Sequence, residues 1–114
     1  MSNQSTEVLS FAHDPDRQKV RDAKESGRFV YVGRMRWFRP KGQRDWGNYA
    51  PDGKVDKDAP DQHAEQHRAV EAFRQWIQTQ PDLMAHVHEL KGKALVCHCR
   101  GLPCHASVLR ELAG

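Results

Sequence analysis

The chain has 114 residues, a formal net charge of +3, 29% charged residues and 38% hydrophobic ones, so it is polar for its size. That length suits one domain with one modest core, and no apolar run approaches the ~20 residues a membrane helix needs. Met1 to Glu7 is polar and lacks the apolar stretch of a secretory leader, so a cytoplasmic location and no membrane partner are expected.

Thr6 to Ala12 carries Val8, Leu9 and Phe11 and predicts a short strand. Asp14-Pro15 then starts a helix, with Asp14 as N-cap and Pro15 in the first turn. It runs through Lys24 and stops at Gly27. Arg28 to Gly33 is rich in β-branched and aromatic residues and predicts a second strand. Residues 34–60 have little periodicity and several Pro and Gly, so they read as a long loop. Such loops in compact domains are usually functional or mobile. Asp61 to Thr79 is the clearest helix, with Ala69, Val70, Phe73, Trp76 and Ile77 on one stripe. Pro81 opens a further helical stretch that ends at Lys91-Gly92. Lys93 to Cys97 is a buried-type strand, and Leu102-Pro103 starts a last helix. The alternation predicts an α/β fold, a small single-domain, Rossmann-like parallel or mixed sheet flanked by helices. Residues 1–27 read as a partly flexible N-terminal extension of an α/β domain over 28–114. Ligands of such sheets gather beyond the carboxyl ends of the strands, where both Gly33-Arg34 and the segment from Cys97 to His105 fall.

All three cysteines lie between positions 97 and 104, an odd number too closely spaced for a disulfide framework. Cys104 and His105 would sit in the first turn of the last helix. There the unpaired N–H groups and the helix dipole favour an anion, either a thiolate or a substrate phosphate. Cys104 equally reads as a small core residue. Cys97, Cys99, Cys104 and His105 supply the donor types for zinc or an iron–sulfur cluster. Their spacing departs from the usual zinc knuckle, however, and adjacent Cys104 and His105 converge poorly on one ion, so no cofactor is expected. In the long loop, Arg34, Arg36, Arg39, Lys41 and Arg44 alternate with Trp37, Phe38 and Trp46. Guanidinium groups read phosphates and flat rings stack on bases. The same mixture describes a solvated loop whose rings pack on the core. Asn48, after Trp46-Gly47, is placed to bond a base or sugar edge, or simply to form a turn.

Tyr31-Val32-Gly33-Arg34, Trp46-Gly47-Asn48, the helix around Ala69 to Ile77, and above all Leu90 to Cys99 followed by Leu102-Pro103-Cys104-His105 form a pattern. Through it the chain resembles domain-of-unknown-function family 4326, small proteins of bacteria and phages, over about Phe29 to Leu112. The family pattern carries an aromatic residue where this chain has His98, and usually proline where it has Tyr49. The resemblance implies a recurrent thiol–imidazole pair after a strand and supplies no reaction.

These readings converge on one crevice. Cys104 and His105 are its expected reactive pair, Arg34 its anion ligand, and Trp46, Asn48 and Cys99 its further contacts. The expected partner is a nucleotide, nucleoside or related phosphorylated small molecule. The alternatives are a nucleic-acid- or protein-binding module built on the basic aromatic loop, and a metal-stabilised domain. The oligomeric state is not legible.

Overall fold

The computed structural model describes residues 6–11, 14–34, 36–98 and 104–114, with Asp14 and Arg36 described by their backbone alone. Three parallel strands form the sheet: β1 (Glu7–Ser10), β2 (Phe29–Tyr31) and β3 (Ala94–Cys97), in the order β1-β3-β2. Val8 and Val30 flank Leu95 on one face, and Leu9 and Tyr31 flank Val96 on the other. The last strand in sequence is the middle one in space. All four of its residues are buried, as a strand covered on both faces requires. The chain is therefore a small α/β domain with a parallel sheet.

Parallel neighbours need long crossovers, and the helices supply them. A 3₁₀ turn, Asp14–Asp16, leads into α1 (Arg17–Ser26). Gly27 ends α1 at φ 77°, a left-handed conformation that glycine adopts without strain. Val20 and Ala23 of α1 pack with Leu9, Ala94 and Val96 on one face of the sheet. The other face carries α2 (Gln62–Ile77) and α4 (His105–Ala113). There Phe73, Ile77, Val108 and Leu109, all fully buried, close over Val30, Val32 and Leu95. Asp61 caps α2, its side chain accepting from the Ala64 N–H at 3.0 Å. The short helix α3 (Pro81–His86) and a 3₁₀ turn, Val87–Leu90, return the chain to β3.

Two expectations change. The predicted N-terminal extension contributes β1 to the sheet and α1 to its cover, so the sheet is not confined to residues 28–114. The last helix begins at His105 rather than at Leu102-Pro103, because Cys104 is extended (φ −136°, ψ 144°) and stands as its N-cap. Leu102 and Pro103 themselves lie outside the described residues. Among the described residues no helix is long and apolar enough to cross a membrane.

The outer side of β2 meets a side chain instead of a strand. Gln43 Oε1 accepts from the Tyr31 N–H at 2.8 Å, and Gln43 Nε2 donates to the Tyr31 carbonyl at 2.7 Å. Tyr31 is 1% exposed. Gln43→Leu should therefore strand two backbone groups and lower stability by about 1–3 kcal/mol. Urea unfolding followed by far-ultraviolet circular dichroism checks this, and an unchanged midpoint would contradict it.

Candidate active site

A cavity of about 650 Å³ opens between the carboxyl ends of β2 and β3 and the N-terminal half of α2. Four parts of the chain build it: Arg34 after β2, Cys104 and His105 at the start of α4, the loop from Asn48 to Lys57, and Gln62, Gln66, Ala69 and Val70 of α2.

His105 organises the wall nearest the sheet. Its Nε2 lies 2.7 Å from the Val32 carbonyl and 3.1 Å from the Trp46 carbonyl. Carbonyls only accept, so Nε2 carries the proton and donates to both. Nδ1 is then the unprotonated nitrogen, and it faces the Cys104 Sγ at 3.8 Å. Burial lowers the His105 pKa below its ordinary value of 6.5, against the opposing pull of the bond to the Val32 carbonyl. The ring is thus held toward its neutral form, with the unprotonated Nδ1 facing the sulfur.

Arg34, Lys54 and Lys57 bring positive charge to the cavity, and no Asp or Glu among the described residues lines it. None of the three makes an ion pair among the described residues. The Arg34 guanidinium sits 5.1 Å from the centre of the Tyr49 ring, a cation–π contact that steadies it and leaves its charge unneutralised. Tyr49 in turn donates to Asp45 at 2.7 Å. Burial and this bond to a carboxylate raise the Tyr49 pKa, so it stays a phenol. Burial pushes Asp45 upward, but the bonds from Tyr49, the Gly47 N–H and Arg39 outweigh it and hold its pKa low. The first turn of α4 adds N–H groups and dipole on the same side.

The far wall has no regular structure, and side chains of α2 hold it. Arg68 donates to the carbonyls of Asp52 (2.7 Å) and Lys54 (2.9 Å) while pairing with Glu65. Glu65 also accepts from the Asp56 N–H at 2.6 Å. Gln62 donates to the Ala59 carbonyl at 2.8 Å and to that of Asp56 at 3.1 Å. The bonds from Arg68 and from the Asp56 N–H pull Glu65 down to about 2, so this clasp persists well into acid. Asn48 braces the same wall. Its Oδ1 accepts from the Ala50 N–H at 3.1 Å, and its Nδ2 reaches the carbonyls of Ala69 (3.3 Å) and Gly53 (3.4 Å). A Cβ at position 53 would run into the Asn48 amide, which is why glycine stands there.

Of the residues expected in the crevice, Arg34, Asn48, Cys104 and His105 are brought together around the cavity. Trp46 is not among the lining residues. Its ring lies in the core, 3% exposed, and its carbonyl is the part that reaches the site. Cys99 lies outside the described residues. Cys97 is buried, its thiol directed to the Leu9 carbonyl at 3.5 Å. Among the described residues no group of three or more His, Cys, Asp or Glu is disposed to hold a metal ion. Lys54, Lys57, Gln62 and Gln66 escaped the sequence reading. Their one signal was the Gly53-Lys54 turn ahead of the capped helix.

No curated protein and no solved structure matches the chain. Because the fold places His105 as a neutral imidazole, stability should fall as pH drops through about 6.5. The unfolded chain binds a proton there that the folded chain refuses. A series of thermal melts from neutral pH downward checks the slope, and His105→Gln should flatten it. A family model does match, over residues 16–114, beyond the span from Phe29 on which the resemblance rested, and the chain belongs to the family described as Domain of unknown function (DUF4326).

Proposed function

We propose that this cavity binds a nucleotide, nucleoside or related phosphorylated small molecule and that Cys104 and His105 are its reactive pair. One observation carries the reading: among the described residues, cations that make no ion pair and a thiol–imidazole pair line the same cavity, and no carboxylate joins them. Such a surface repels acids poorly and cations well. A phosphate would bond Arg34 in the fork geometry that guanidinium favours, with Lys54 and Lys57 as point charges. Val55, Ala69 and Val70 supply an apolar floor for a ring, and Gln66 offers an amide to its edge. The volume is in the range of small-ligand sites.

The lowered pKa of His105 bears on the chemistry. A buried neutral imidazole accepts a proton reluctantly, so the free protein keeps Cys104 as a thiol. An anion bound beside the ring favours the imidazolium. The Cys104 proton then moves to Nδ1, and the sulfur is left as a thiolate, the nucleophilic form of the side chain. The pair is switched on by the ligand that it acts on.

Calorimetric titration with nucleoside monophosphates, the parent nucleosides and inorganic phosphate tests the reading. Phosphorylated compounds should bind, and the parent nucleosides more weakly. Arg34→Ala should reduce affinity about tenfold or more, the worth of one charge-assisted bond. Alkylation of Cys104 by iodoacetamide at neutral pH should change when a phosphorylated compound is present and should be lost in Cys104→Ser. Absence of binding by every phosphorylated compound, with alkylation indifferent to them, would make the proposal wrong.

A further inference from the structure

The basic aromatic loop does not serve the cavity as a whole. Arg34 lines it, and Trp46 turns into the core, but Trp37, Phe38, Arg39 and Pro40 line a second hollow. This hollow has a volume of about 360 Å³, lies against Lys24 and Phe29 on the α1 side of the sheet, and shares no lining residue with the first.

Its rings are of two kinds. Phe38 is anchored, with ring centres 5.2 Å from Phe11, 5.6 Å from Tyr31 and 4.8 Å from His98. Trp37 is its immediate neighbour, 6.1 Å centre to centre, and is 78% exposed. The larger ring is thus carried outside by a residue whose own ring is fixed. Water gains nothing from an indole held there, and the core gains nothing either. The surroundings are cationic. Lys24 Nζ lies 5.1 Å from the Phe29 ring centre and has no ion-pair partner among the described residues. Arg39 lines the hollow while paired with Asp45 at 2.7 Å. Lys41 and Arg44 are exposed further along the same loop. Among the described residues, no carboxylate and no aliphatic Leu, Ile, Val or Met lines the hollow.

That composition distinguishes between partners. Rings and Arg also mark protein interfaces, but the centres of those are depleted in Lys, and this hollow sets Lys24 beside its rings with no carboxylate among its described lining residues. Every base has a flat face to stack on a ring, and every nucleotide brings a phosphate to a cation. A duplex hides its base faces and a single strand exposes them. We propose that the Trp37–Phe38 hollow docks single-stranded nucleic acid, with a base stacked on Trp37 and the flanking phosphates on Lys24 and Arg39. The footprint is short, because the cations that reach it are few. The proposal is independent of the chemistry assigned to Cys104.

Fluorescence anisotropy of the full chain with a labelled oligothymidylate of about 10 nucleotides is the test. Binding should weaken with added salt along a log–log slope of about −1.4, as expected for roughly two phosphates on Lys24 and Arg39. Trp37→Ala, at an exposed position that leaves the core intact, should lower affinity about tenfold or more. Lys24→Gln should both weaken binding and flatten the slope by about 0.7. Arg34→Ala should leave strand binding unchanged, which separates this hollow from the cavity. Absence of strand binding, an unaltered affinity in Trp37→Ala, or loss of binding in Arg34→Ala would each overturn the proposal. So would displacement by a polyglutamate peptide as effective as by unlabelled strand, since the hollow would then be reading charge alone.

Discussion

The Nε2 proton of His105 is shared between the carbonyls of Val32 and Trp46, and the geometry of the cavity follows from that one bifurcated bond. Val32 lies just past the end of β2, Trp46 lies in the long loop, and His105 begins α4. Three parts of the chain far apart in sequence are thereby tied at one buried point. The bond also decides the tautomer, which leaves Nδ1 free to face Cys104. A ring in this position serves structure and chemistry with different nitrogens. The two roles conflict when the ring is charged, because a buried imidazolium needs a compensating anion, and the pull of Asp45 offsets only part of the cost of burial. A ligand can provide that anion.

The cavity is half scaffold and half loop. Strand ends and helix starts fix Arg34, Cys104 and His105, as parallel sheets generally fix their sites. The opposite wall depends on a few long side chains of α2 that hold loop carbonyls and amides: Gln62, Glu65 and Arg68. Individually such surface bonds are worth little. Collectively they replace the secondary structure that residues 48–59 lack, and they set Lys54 and Lys57 where no helix or strand could have placed them.

The fold was legible because its cues are local. Asp61 at the head of a striped segment, Gly27 after α1 and the apolar run Ala94 to Cys97 each state a start, a stop or a buried strand. The order of the strands was not written locally, since it depends on which strand both of the others pair with. In the site, Cys104, His105 and Arg34 were legible from their places after strands. Trp46 misled, because a tryptophan in a basic loop looks the same whether its ring stacks on a ligand or fills the core. Asn48 illustrates a finer limit. It lines the cavity as read, yet its hydrogen bonds are committed to Ala50, Gly53 and Ala69, and only coordinates reveal that. The two lysines of the loop carried no periodicity, and the turn at Gly53 was their one signal.

Gln43 has a consequence for how this molecule meets its own copies. A sheet ends where a strand has no neighbour, and its outward amides and carbonyls are then a template for any extended chain that drifts by. Here Tyr31, the last residue of β2, presents both of its outward groups to a single carboxamide, which copies the donor and acceptor of a peptide unit. The glutamine acts as a one-residue counterfeit strand. It completes the ladder at the cost of one side chain and carries no further backbone edge of its own, so strand-to-strand growth halts on that side. A crowded solution of this protein is thereby protected at β2 by chemistry rather than by charge, and the protection does not weaken with salt.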